Sequence, residues 1–368
     1  MAAVIASGAT VLDLTTSNPT TVGVDYPQEE ILKALAQPNA LTYEPAARGM
    51  SAAREAVASY YADLGILISR EDVVLTVSTS EAYSYVFRLL CDPGDEVLVP
   101  APSYPLFDFL AEIQDVRLVP YELVYDHGWQ IEFESLRKGI SKRTRAIMVV
   151  HPNNPTGQYV KQWEMDCLNA ICKHHELAIV ADEVFLDYSL DGGVRPSFAA
   201  NKGALTFTLS GLSKISGLPQ MKSAWLVVSG PEALAREADA RLEVIADTYL
   251  SPNAPMQWAL PNLLEMRQGI QRQLSARVLE NMRTLDQLLE AKSSCKRLAV
   301  EGGWYAVLRV PVTRTDEELA IELLTTKQVM VHPGHFYNFP GDGYLIVSLI
   351  TKAEEFREGV VRLLELIG

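Results

Sequence analysis

Lys214 stands at the end of a short small-residue turn, Ser210-Gly211-Leu212-Ser213, which follows the strand-like run Leu205–Leu209. β-Branched and apolar residues alternate in that run. Gly217 and Pro219 follow within five residues, so no regular helix continues past the lysine. An ammonium held behind a buried strand is costly. A lysine in this setting is either a surface residue of a loop or a reactive amine that becomes neutral by condensing with a carbonyl group. Ser-x-x-Ser-Lys does not by itself decide between the two. The second reading requires other parts of the chain to supply an acid, an anion cup, an aromatic face and a polar donor.

Each of these has a candidate at the end of a strand. The apolar run Leu177–Ala181 ends in Asp182-Glu183-Val184-Phe185, and open α/β sheets bind ligands at that edge. Asp182 there is a partner for a protonated ring nitrogen, or a solvated acid. The run Val73–Val77 ends in Ser78-Thr79-Ser80-Glu81, where a helix begins. Free N–H groups, hydroxyls and the positive end of the helix dipole suit a phosphate, and the same letters suit an ordinary N-cap. The run Arg145–Val150 leads into His151-Pro152-Asn153-Asn154-Pro155-Thr156-Gly157, a rigid polar turn whose composition suits no core role. Tyr104, after Pro102-Ser103, has an aromatic face to stack on a ring and serves equally as a core residue.

These strings resemble the fold-type I pyridoxal-phosphate aminotransferases, class I/II, over essentially the whole chain. They occur in that family's order: Tyr43 to Gly49, Ser78 to Ala82, Pro102 to Pro105, Asn153 to Gly157, Asp182 to Phe185, and Ser213-Lys214 to Lys222. The resemblance implies pyridoxal 5′-phosphate as cofactor, bound to Lys214 as an imine. Lys214 would then move the proton during transfer. Asp182 would pair with the ring nitrogen, Asn154 would meet the ring hydroxyl, and Tyr104 would stack. Ser78, Thr79, Ser80 and Lys222 would hold the phosphate. A homodimer is implied, with Tyr43 reaching the neighbouring subunit's phosphate. The implied reaction moves an amino group between an amino acid and a 2-oxo acid. A lyase or decarboxylase on the same scaffold, or a cofactor-binding protein without turnover, are the competing readings.

Four positions depart from the family pattern. Phe185 stands where a tyrosine usually donates to the ring hydroxyl, with Tyr188 as a poorly placed substitute. Gly211 stands where a serine is common, and Lys222 replaces an arginine and its bidentate fork. Ile346, two residues before Ser348, occupies the place of the arginine that grips the substrate carboxylate. Ser17, Arg48, Trp304 and His335 are the candidates for the substrate side, with Asn338 beside His335.

The elements that must position these residues read as an α/β fold. Short apolar strands alternate with helices from residue 51 to 230, which predicts a mainly parallel, seven-stranded sheet sandwiched by helices. After Gly230 a long helical stretch from about Gln257 to about Lys292 leads to a smaller α+β unit. The expected division is a large domain over 40–250 and a small one made of 1–39 and 251–368. The chain has 368 residues, 48% of them hydrophobic, enough for two cores. A net charge of −14 argues against nucleic acid and anionic membranes as partners. Four cysteines without a CxxC pair, no basic leader and no long apolar run predict a cytoplasmic chain that holds no metal.

Overall fold

A computed structural model of the chain describes residues 10–290 and 294–368. The reading of the first eight residues as leader-free, and the far end of the expected helix near Lys292, lie outside the described residues. The large sheet has eight strands rather than seven. Their spatial order is Val73–Thr76, Ala224–Ser229, Thr206–Gly211, Ala178–Asp182, Thr144–Val150, Glu96–Ala101, Arg117–Tyr125 and Trp129–Ile131. Six run in one direction, and Ala224–Ser229 and Trp129–Ile131 run against them.

The additional strand is the return arm of a hairpin. The strand expected to stop at Pro120 continues to Tyr125, and Leu123–Tyr125 pairs with Trp129–Ile131. The hairpin does not reach Pro120, so the missing N–H interrupts no outer ladder. Central strands are buried on both faces, which is why Ala178–Asp182 and Ala224–Ser229 read as unbroken apolar runs. Val180, Phe207 and Leu226 pack toward one face, beneath helices Thr79–Leu90 and Glu232–Tyr249. Ile179 and Ala181 face the opposite layer together with Trp304 and Phe356.

The second sheet is antiparallel, in the order Lys296–Arg297, Tyr305–Arg309, Tyr344–Ser348 and His332–Pro333. Leu12–Asp13 pairs in parallel with Val329–Met330, tying the start of the described chain to this unit. The expected long helix is two helices, Ala254–Glu265 and Arg267–Glu290, parted at Met266. Among the described residues, no helix is long and apolar enough to cross a membrane, and no cluster of metal-ligating side chains occurs.

One loop locks the two sheets together. Gly157 has φ +75, and its carbonyl accepts from the N–H groups of Glu301 (3.1 Å) and Gly302 (2.9 Å). A Cβ at 157 would sit 2.6 Å from the Gly302 oxygen. Gly157→Ala is therefore expected to lower stability by about 2 kcal/mol or more, from left-handed strain plus a backbone clash. The shift in denaturant midpoint measures it; an unchanged midpoint would contradict this docking.

Candidate active site

The C-terminal ends of the parallel strands open onto a cavity of about 310 Å³. Ser17, Ser78, Thr79, Ser80, Tyr104, Asn154, Asp182, Lys214 and Lys222 all line it. Residues separated by more than 200 positions thus meet at one strand edge, where ligands of such sheets gather.

Asp182 is the last residue of its strand and points into the cavity, while Glu183 turns to the other side and binds Ser197 and the Phe198 N–H. The Asp182 carboxylate accepts from the Tyr83 hydroxyl at 2.8 Å and from the Val184 N–H at 3.1 Å. Burial still pushes its pKa above the ordinary carboxylate value, against the pull of those two bonds and of Lys214. A desolvated acid of this kind favours a cationic or strongly donating group opposite it.

Lys214 sits in a single helical turn, Leu212–Ile215, made possible by the close approach of Gly211 to Ala224. Three side chains clamp its backbone. Tyr188 donates to the Lys214 carbonyl (2.7 Å), Gln271 to that of Ile215 (2.9 Å) and Tyr26 to that of Gly217 (2.7 Å). Tyr188 therefore positions the lysine backbone and is not a stand-in donor for the missing tyrosine. The Lys214 Nζ lies 4.9 Å from the Trp304 ring centre and 5.3 Å from that of Phe185. Burial lowers its pKa from 10.5 to about 8, with Asp182 opposing.

The two asparagines divide the work. Asn153 is structural: its amide donates to the Pro102 carbonyl (3.0 Å) and to the Thr156 hydroxyl (2.6 Å), and its oxygen accepts from Ser103 (3.2 Å). Asn154 lines the cavity, and its Oδ1 is buried without a hydrogen-bond partner among the described residues. His151 holds the loop from behind: its Nε2–H donates to the Pro196 carbonyl and its Nδ1 accepts from the Val160 N–H. Burial lowers its pKa to about 4, so this tautomer is the neutral form.

At the other end Ser78 is the N-cap of helix Thr79–Leu90, its hydroxyl oxygen accepting from the Glu81 N–H at 3.1 Å. Both readings of Ser78-Thr79-Ser80 hold at once, since the capped turn is also a wall of the cavity. Ala224 pairs across from Thr76, which brings Lys222 and Ser223 beside Val77–Ser80.

The remaining candidates lie elsewhere. Arg48 is not at the cavity: its guanidinium grips Asp239 at 2.6 Å and the Glu71 carbonyl, pinning its loop to helix Glu232–Tyr249. Tyr43 is 76% exposed and touches no part of the cavity of its own chain. Trp304 is fully buried and does not line the cavity, but its ring centre lies 4.9 Å from the Lys214 Nζ and 5.1 Å from that of Phe185. His335 and Asn338 are exposed outside it. One residue behind the site had no functional signal in the sequence: Tyr83 is a buried helix residue by its spacing, yet its hydroxyl holds Asp182. Tyr305, beside Trp304 in the segment the family resemblance sets near the substrate side chain, lines the cavity and hydrogen-bonds Ser17.

Pyridoxal phosphate fits the groups present. Among the described residues Asp182 has no counter-charge apart from Lys214 and Asn154 Oδ1 has no donor, and the helix end beside Lys222 presents donors and positive charge to an anion. Only the neutral lysine amine attacks a carbonyl, so its pKa sets the pH dependence of cofactor capture. Uptake of pyridoxal phosphate by the cofactor-free chain, followed as growth of a visible absorbance band, is expected to accelerate with pH and level off above about 8. A rate still climbing toward the ordinary lysine value of 10.5 would contradict the burial of Lys214.

The family model for aminotransferase class I and II matches residues 9–363. Glutamate-pyruvate aminotransferase AlaA of Haemophilus influenzae is 27% identical over 97% of this chain and 90% of its own. Alanine aminotransferase of Mycobacterium tuberculosis is 28% identical over 97% of this chain and 86% of its own. An aminotransferase structure from Escherichia coli superposes with a TM-score of 0.87 at 25% identity, covering 100% of this chain and 93% of its own. Fold, cavity and whole-length match agree: the chain belongs to the class I and II aminotransferases, pyridoxal-phosphate enzymes that move an amino group between an amino acid and a 2-oxo acid.

Proposed function

We propose that the chain is a transaminase for amino acids with small, uncharged side chains, alanine among them, with pyruvate as the matching 2-oxo acid. The single observation that carries this is the wall beyond Lys214. Val184, Phe185 and Tyr305 are neutral, and among the described lining residues the cations are Lys214 and Lys222 alone. A second carboxylate on the substrate would lie there unpaired. The name of the relative from Mycobacterium tuberculosis supports alanine; that of the relative from Haemophilus influenzae supports pyruvate and also names glutamate, against which the neutral wall of this chain speaks.

The cofactor, when bound, supplies the carbonyl that accepts the amino group and a ring that withdraws electrons. Lys214 carries a proton at Nζ to and from the reacting carbon, and its lowered pKa suits that task near neutral pH. Asp182, held by Tyr83, presents a desolvated carboxylate to the ring nitrogen. Asn154 would meet the ring hydroxyl, Tyr104 would stack, and Ser78, Thr79, Ser80 and Lys222 would hold the phosphate, all of them residues that line the cavity. Ser17, at the cavity mouth, faces the substrate. The proposed division sets a cofactor unit at 40–250 and a small unit at 1–39 with 251–368, although helices Gln28–Leu35 and Ala254–Glu265 pack in one core with Val73 and Trp225 of the large sheet. A homodimer is supported by the exposed apolar segment at Leu41 (93%) and Tyr43 (76%), with Tyr43 completing the partner's phosphate site.

The test is a half-reaction. Purified holoenzyme mixed with alanine is expected to pass from the aldehyde to the amine form of the cofactor, visible in its absorbance, and pyruvate should reverse it. Glutamate and aspartate should react at least about tenfold more slowly. Lys214→Ala should abolish conversion. Absence of conversion with any amino acid would overturn the transaminase reading.

A further inference from the structure

The same cavity says how the end of the substrate next to the reacting carbon is recognised, an inference that rests on the transaminase reading. Lys214 is used by the reaction itself. Lys222 is spent at the phosphate end, since the pairing of Ala224 with Thr76 sets it beside Ser78–Ser80. No third cation lines the cavity among the described residues. Ile346, in the place of a gripping arginine, is fully buried in the small sheet between Val307 and His332.

Neighbouring cations do not fill the gap. His332 is directly across from Ile346, but burial lowers its pKa below 6.5 against the opposing pull of Asp13, and its Nδ1 is engaged with the Tyr337 hydroxyl at 2.9 Å. Arg48 is held by Asp239, Arg267 by Asp63 at 2.7 Å, and Arg309 lies 4.2 Å over the Tyr344 ring. What faces the substrate end is a set of neutral hydroxyls on Ser17, Tyr104 and Tyr305. Burial pushes the Tyr305 hydroxyl well up, so it stays protonated and donates.

Neutral hydroxyls bond an alcohol or an amide about as well as a carboxylate, whereas a guanidinium fork strongly selects the anion. We infer that this transaminase is indifferent to the α-carboxylate, and that primary amines bearing a neutral hydroxymethyl or carboxamide group are substrates beside the amino acids. In the balanced reaction the donor carbon loses its C–N bond and one hydrogen, and water supplies the oxygen of its new C=O. The 2-oxo acid gains the nitrogen and a hydrogen, and its carbonyl oxygen leaves as water, so one water is consumed and one released. Two electrons move between the two carbons, and no other oxidant is needed.

The experiment compares holoenzyme half-reactions with alanine, alaninamide and 2-aminopropan-1-ol, each as kcat/KM for conversion of the cofactor. The three values are expected within about tenfold of one another. A preference for alanine of about 100-fold or more would overturn the inference while leaving the transaminase reading intact, and would assign the gripping cation to a second copy of the chain. No conversion with these three or with any other amino acid overturns both.

Discussion

The site depends on a carboxylate kept out of water. Asp182 ends a central strand whose residues are all buried, so its charge is desolvated by the sheet that delivers it. Its bonds to Tyr83 and the Val184 N–H orient it without cancelling its charge. Lys214, from the helical turn that follows the adjacent strand Thr206–Gly211, is the charge that answers it among the described residues. The same apolar packing pulls the lysine pKa down and the aspartate pKa up, so each becomes poised for proton chemistry by the burial that threatens it.

Rigidity follows from that opposition. A buried amine on a loose loop would swing toward water, and three bonds to backbone carbonyls prevent it. They come from Tyr188, Gln271 and Tyr26, which lie on three distant parts of the chain. Phe185 and Trp304 close the remaining side with aromatic faces. The loop from His151 to Gly157 is stiffened in the same way, with Asn153 bonded inward so that Asn154 is left with a free oxygen at the cavity.

The parts of this arrangement that lie on short strings were legible in the sequence. Lys214, Asp182, Asn154 and Ser78-Thr79-Ser80 each follow an apolar strand and precede a turn, and all of them reach the cavity. The alternation of strands and helices likewise foretold the large sheet. Tertiary partners were not legible. Tyr83 looks like any apolar helix position, because only folding brings its hydroxyl to Asp182. Arg48 looked free beside Tyr43, because Asp239 lies 191 residues away. The eighth strand was hidden by Pro120, which reads as a strand end yet sits where no outer ladder forms. Ile346 was visible as a departure, but its meaning needed the sheet that buries it opposite His332.

The most direct measurement is the protonation state of the ring nitrogen in holoenzyme loaded with 15N-labelled pyridoxal phosphate. With Asp182 desolvated opposite it, the nitrogen shift is predicted to be that of a protonated pyridine across neutral pH, and Asp182→Ala should move it to the unprotonated position. An unprotonated nitrogen in the unaltered enzyme would contradict the account.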